Sequence, residues 1–526
     1  MNLTGTSFIG QARGSASGTS FHGVNPATGE ALEPNYYAAT SADVAQACEL
    51  AASAARAYGA TSGADRATFL RAIADNIEAA VDQLVEVTTA ETGYPEGRIR
   101  GESGRTMGQL RLFATVAEEG SWVDARVDRA NPDREPMPKP DVRCMLRPVG
   151  PVVVFGASNF PMAFGALGGD TASALAGGNP VVVKGHPAHP RTSEIVADCT
   201  ARAAASTGMP DGTFSLLFDD GIDVGIELVK HPAIKAVGFT GSLRAGRALM
   251  DIAAARPEPI PVYAEMGSIN PVFILPGALA ERGAEIATGL TGSVNLGVGQ
   301  FCTCPGVVVS PSGDATDALA SAWADGMQAS AASVMLTQGI SKAYHCGTDS
   351  LRAKDSVSAL ANAEKGEAFA PAGSALFRTT ADAFLADAEL GHEVFGPSSL
   401  LVEHNDKAAL LALAEALPGQ LTASIHGTEA DLSEYAELVD ILSQKAGRLV
   451  FNGFPTGVEV CHAMVHGGPY PASSDGRSTS VGTMAISRFA RPVAYQAFPD
   501  AALPDALKDA NPLGITRLED GKSVNA

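Results

Sequence analysis

Pro151-Val152-Val153-Val154-Phe155-Gly156-Ala157-Ser158 is an unbroken apolar run closed by small residues. Four β-branched or aromatic positions in a row, with no polar residue between them, describe a strand buried on both faces. Pro161 then opens a helix predicted to run towards Ala176, and the alternation continues downstream. Strand-like segments fall at 180–183, 214–218, 236–239 and 260–263, and helical ones at 192–205, 224–229 and 245–255. Apolar strands alternating with helices specify an α/β fold: a doubly wound parallel sheet with right-handed crossovers. Ligands of such sheets sit beyond the carboxyl ends of the strands, where Asn159, Lys184, Thr240-Gly241-Ser242 and Glu265 fall.

Outward from this core, a polar N-terminal segment reaches a turn at Asn25-Pro26-Ala27-Thr28-Gly29-Glu30. Packing helices follow, from a Ser41 cap to Glu91-Thr92-Gly93. The Pro- and charge-rich stretch 131–140 reads as an exposed extension or linker. After Glu265 a second alternating region, with strands at 272–275, 307–309, 400–402 and 449–451, predicts a second doubly wound domain. A site between the two would lie in a cleft.

Composition narrows the function. At 526 residues the chain is long enough for two or three cores. A net charge of −21 excludes the basic stripe that nucleic acid requires. No apolar run is long enough to span a bilayer, and the first ten residues lack a secretory leader, so neither a membrane nor an export route is expected. Seven irregularly spaced cysteines do not form a disulfide framework and fit a reducing, cytoplasmic setting. No cysteine pairs with zinc spacing are present, so no metal is expected; Cys302-Thr303-Cys304 is a redox pair only if both sulfurs face each other.

Gly299-Gln300-Phe301-Cys302 places a thiol after glycines that let a ligand approach the backbone, which marks Cys302 as a candidate nucleophile. The nucleotide fingerprint G-x-G-x-x-G is absent after every strand. Phe239-Thr240-Gly241-Ser242, a strand opening into a helix, offers free N–H groups to a pyrophosphate, and a simple Ser242 helix cap reads the same residues equally well.

Together these pieces resemble the aldehyde dehydrogenase superfamily over nearly the whole chain. The resemblance rests on 25–30, Glu91-Thr92-Gly93-Tyr94-Pro95, Asn159-Phe160-Pro161, Val183-Lys184, 239–242, Glu265-Met266-Gly267, 299–302 and Glu393-Val394-Phe395-Gly396-Pro397, in the family's order. It implies Cys302 as nucleophile, Asn159 with the Cys302 N–H as oxyanion donors, and Glu265 as general base. It implies NAD or NADP as cofactor, held by Lys184, Thr240, Gly241, Ser242, Glu393 and Phe395. Pro187, where many relatives that use NAD carry a glutamate, tilts the choice slightly to NADP.

The segment from Asn452 through His462, followed by His466-Gly467-Gly468-Pro469-Tyr470-Pro471, resembles the branch acting on α-ketoglutaric semialdehyde (2,5-dioxopentanoate) or on fatty aldehydes. An oxo acid would need an anchor such as Arg477, and a long-chain aldehyde a lining such as Phe160 and Phe454. A cysteine hydrolase and a non-catalytic nucleotide-binding protein are the readings from other classes. The resemblance further implies a homodimer or homotetramer. Its parts would be a nucleotide-binding domain (1–130 and 151–264), a catalytic domain (265–479) and a bridging arm with a C-terminal tail (131–150 and 480–526).

Overall fold

Val152–Phe155 lies in a seven-stranded sheet whose spatial order is Val262–Glu265, Ala236–Thr240, Val152–Phe155, Val181–Lys184, Phe214–Leu217, Phe8–Ile9 and Ala12–Arg13. The structure is a computed structural model and describes residues 2–525. The first five strands are parallel, and the N-terminal hairpin closes one edge antiparallel. Val152, Val153, Val181, Val182 and Val183 are fully buried, as an apolar run between two helical layers requires. From Val152–Phe155 the chain winds one way through two strands, then returns to add Ala236–Thr240 and Val262–Glu265 on the other side. The order therefore reverses between Val152–Phe155 and Ala236–Thr240, which opens a crevice at their carboxyl ends.

Two local expectations change. The helix after Phe160 spans Gly169–Ala176 and does not begin at Pro161; 161–168 is a run of turns in which Gly168 N donates to the Gly165 carbonyl and the Glu102 carboxylate takes the Met162 and Ala163 N–H groups. The first long helix, Ser41–Gly59, is capped by Thr40, which forms a reciprocal capping box with Asp43; Ser41 is its first helical residue.

The second sheet runs Ser358–Asn362, Ala375–Thr380, Ser398–His404, Val307–Pro311, Val272–Ile274, Gln420–His426 and Ala446–Phe451. It is parallel except at the first pair. Gln420–His426, entirely buried, carries too many polar residues to be read as a strand. Two of those groups find partners inside: Gln420 Oε1 accepts from Ser268 Oγ and from the Ile269 and Asn270 N–H groups, and Thr422 Oγ1 donates to Asn270 Oδ1.

A third, five-stranded sheet joins Ala490–Gln496, Val142–Pro148, Arg126–Asp128, Arg517–Glu519 and Lys522–Val524. The stretch 131–140 is the exposed loop between two of its strands, closed by paired bonds between Asn131 and Lys139. The tail packs Leu503, Ala506, Leu507 and Ile515 on Ala125 and Met145. Among the described residues no helix is long and apolar enough to cross a membrane.

Candidate active site

At the crevice, Ala157-Ser158-Asn159 from the end of one strand, Thr240-Gly241-Ser242 from its neighbour and Glu265 from the next line a cavity of about 240 Å³. Cys302, Met266, Ile340, Glu393 and Phe395 complete it. Ser158, Thr240, Gly241, Ser242 and Ile340 also line an adjoining groove of about 630 Å³, which continues past Lys184 between the Asp223–Lys230 and Leu243–Ala254 helices. Candidate nucleophile and candidate nucleotide groove thus share one wall.

Cys302 Sγ lies 3.3 Å from His466 Nε2, and the same nitrogen is 3.0 Å from Glu265 Oε1. The second contact is close but misaligned as a hydrogen bond, since Glu265 Oε1 and His466 Nδ1 are both buried without a bonded partner. Ser480 Oγ donates to Glu265 Oε2 at 2.5 Å. Burial raises the Glu265 carboxyl, but the His466 imidazole, Ser480 and Cys302 outweigh it and hold the group below the usual carboxylate range. Burial, and then the Glu265 charge, push the Cys302 thiol well above its ordinary value, with Arg105 pulling the other way. At neutral pH the arrangement is an ionised carboxylate facing a protonated thiol, a base with its proton donor in place. The donor atoms of Glu265, Cys302 and His466 lie within 4.8 Å of one another, a set that a thiophilic divalent ion would also fit.

The backbone explains the sequence around the thiol. Gly299 has φ of +64°, and a Cβ there would stand 2.2 Å from the Gly396 carbonyl, so only glycine lets the loop pass the segment carrying Glu393 and Phe395. At Gly267 a Cβ would come 2.5 Å from Glu393 Oε2. Val298, β-branched at φ of +61°, adds strain next to the site. Asn270, fully buried, spans the loop by donating to the Cys302 carbonyl at 2.8 Å and the Cys304 carbonyl at 3.0 Å. Asn159 Nδ2 donates to the Gln300 carbonyl at 3.0 Å, which leaves its second N–H for a ligand.

His466 arrives through the C-terminal segment. Met266 N donates to the Ala472 carbonyl and Ser474 N to the Ala264 carbonyl, so Ala472–Ser474 runs beside the Glu265 strand. Ser480 N donates to the His466 carbonyl, which fixes the two groups that hold Glu265.

In the groove, Lys184 Nζ donates to the Asp219 carbonyl at 2.8 Å, and Asp219 Oδ2 is buried without a partner. Burial lowers the Lys184 ammonium, with Asp219 and Asp220 opposing. Ser242 Oγ caps the Leu243–Ala254 helix through the Ala245 N–H, so cap and free N–H groups coexist.

Not every expected residue is here. Arg477 is 91% exposed and paired with Asp475, on a different groove beside His462 and Met484; its short Asp475–Ser478 turn points it to solvent. Phe454 meets His426 at a tilt (ring centres 5.0 Å apart) and packs against the core under the second sheet, outside the cavity lining. Phe160 packs edge-on to Phe301 at 4.9 Å, next to the thiol loop. Cys304 Sγ faces the Val294 and Gly396 carbonyls, and its thiol is pushed up to about 12 by burial, so it is a core residue. His466, Ser480 and Asn270 were not singled out from the sequence. The one local signal was the histidine directly before the paired glycines.

The aldehyde dehydrogenase family profile matches residues 13–490. The chain belongs to the aldehyde dehydrogenase family. It is 51% identical over 524 residues to alpha-ketoglutaric semialdehyde dehydrogenase 2 of Azospirillum brasilense, covering 99% of this chain and 100% of that one. It is 46% identical to alpha-ketoglutaric semialdehyde dehydrogenase of Acinetobacter baylyi, covering 98% of each. Among solved structures, aldehyde dehydrogenase C of Pseudomonas syringae, complexed with NAD+ and octanal, superposes with a TM-score of 0.80 at 19% identity, over 95% of this chain and 98% of that one. This aldehyde dehydrogenase thus carries the family fold, with His466 set between its candidate nucleophile and its candidate base.

Proposed function

We propose that this aldehyde dehydrogenase oxidises 2,5-dioxopentanoate to 2-oxoglutarate with NAD(P)+. The observation that carries the reading is identity of 51% and 46%, over almost the full length, to two enzymes named for that semialdehyde. In this reading Glu265, ionised and 3.0 Å from His466, draws the Cys302 proton away, directly or across the imidazole. The thiolate adds to the aldehyde carbon, and the free Asn159 N–H meets the oxygen that becomes charged, an interaction worth about 3 kcal/mol in the transition state. The nicotinamide supplies the hydride acceptor. Glu265, once that proton has passed to solvent, activates the water that releases the acid from the Cys302 thioester, the same carboxylate serving both halves in turn.

The groove fits the nucleotide. Lys184 and the Thr240-Gly241-Ser242 turn supply its polar lining, and Ile222, Ile226, Leu249 and Ile252 supply apolar walls for a flat base. Lys184 would hold the adenosine end, the helix start at Ser242 the pyrophosphate, and Glu393 with Phe395 the nicotinamide end. Residues 1–130 and 151–264 would form the nucleotide-binding domain and 265–479 the catalytic domain. The bridging arm, 131–150 and 480–526, would join copies in a cytoplasmic homodimer or homotetramer.

The test is initial rates of NAD+ and NADP+ reduction with 2,5-dioxopentanoate, succinic semialdehyde and a long-chain aldehyde. The expected result is the highest kcat/KM with 2,5-dioxopentanoate; a higher value with the long-chain aldehyde refutes the substrate assignment.

A further inference from the structure

We propose that Arg105 anchors the substrate carboxylate and makes the site selective for aldehydes that carry an anionic group at the far end. The proposal rests on the oxo acid reading of the substrate and supplies the cation that Arg477 does not.

Arg98, Glu102, Arg105 and Gln109 follow at spacings of four, three and four along the Glu96–Glu119 helix, one polar stripe on a single face. Three of the four are committed elsewhere. Arg98 donates to the Asn159 carbonyl at 2.8 Å and lies 3.6 Å over the Tyr94 ring. Glu102 Oε1 takes the Met162 and Ala163 N–H groups. Gln109 is buried against Gly169. Arg98 Nη1 and Glu102 Oε2 are also buried without a partner, but of the four only Arg105 leaves both atoms of a guanidinium edge, Nε and Nη2, buried with no hydrogen-bond partner. Those two atoms form the side edge of the guanidinium, the edge that takes both oxygens of a carboxylate in parallel.

Its surroundings put the guanidinium on the side of the thiol occupied by Phe164 and His466. The guanidinium carbon stands 5.3 Å over the Phe164 ring, and the Phe164 ring centre is 6.2 Å from that of His466, which touches Cys302. Burial lowers the Arg105 guanidinium, and the titratable groups opposing that are the Cys302 thiol and the carboxylates of Glu102, Glu459 and Glu265. Leaving two buried N–H groups of a cation without hydrogen bonds is costly, so an unused fork near the nucleophile is better explained by a ligand than by packing. Arg448, the other cation acting on Cys302, donates to the Pro455 and Gly457 carbonyls and is occupied in holding that segment.

The test compares the full-length wild type with Arg105→Met and Arg105→Lys, using 2,5-dioxopentanoate, succinic semialdehyde and uncharged butanal, with melting temperature as a check on folding. Arg105→Met is expected to raise KM for the anionic aldehydes and to lower their kcat/KM relative to butanal by about 10- to 100-fold, the range for a hydrogen bond to a charged group. Arg105→Lys, which keeps the charge and loses the fork, should recover part of that ratio. An unchanged ratio in both variants overturns the proposal, whether activity is kept or lost on all three aldehydes together. A wild type that prefers succinic semialdehyde over 2,5-dioxopentanoate, with the ratio still falling in Arg105→Met, keeps the anchor and refutes the proposed substrate. A wild type with no preference for either anion over butanal refutes both.

Discussion

Cys302→Ala is expected to lower aldehyde oxidation by at least about 10⁴-fold with the circular dichroism spectrum unchanged, because the substitution removes the atom on which the thioester forms. No second thiol can substitute. Cys304, two residues on, has its sulfur against the Val294 and Gly396 carbonyls and packs into the core under the second sheet. The loop should survive, since Asn270 holds it through the carbonyls of residues 302 and 304 and Gln300 through the Leu336 N–H, none of which involves the thiol. Nucleotide reduction at a rate within about tenfold of wild type would show that the chemistry runs elsewhere.

His466→Ala is expected to cost about 10²- to 10³-fold in kcat/KM and to change its pH dependence. In the wild type the thiol is raised and the carboxylate lowered, so kcat/KM should climb with pH as Cys302 ionises, with no acidic limb from Glu265 near neutrality. Without the imidazole, Glu265 keeps Ser480 and Cys302 but loses the largest of the influences that oppose its burial. Its carboxyl then titrates at higher pH, and an acidic limb should move up into the measured range. A loss of rate with the same pH profile would mean that His466 only fills space.

How much of this was legible depends on the kind of residue. The sheet around Val152–Phe155 could be read because both faces are buried and every position is apolar. The buried strand Gln420–His426 could not, because Gln420 and Thr422 are satisfied by Ser268, Ile269 and Asn270 about 150 positions earlier, a pairing that local pattern does not carry. The same distinction holds in the site. Cys302, Glu265 and Asn159 stand in recognisable short motifs, and the fold brings all three to one cavity. His466 reaches that cavity only because Ala472–Ser474 pairs with the Glu265 strand. Arg477 was proposed from charge alone, and exposure in a turn removes it. Arg105 sits in a helix that reads as ordinary packing until Arg98, Glu102 and Gln109 are each seen to be engaged.

The most direct test is chemical. Enzyme mixed with 2,5-dioxopentanoate and oxidised cofactor, quenched in acid during the first turnover and digested, should yield the peptide containing Cys302 carrying one 4-carboxy-4-oxobutanoyl group. That label, absent from the peptide of the Cys302→Ala enzyme, is the predicted result. Cofactor reduction with the acyl group on another residue, or with no acyl-enzyme under conditions where turnover is limited by its hydrolysis, would contradict the account.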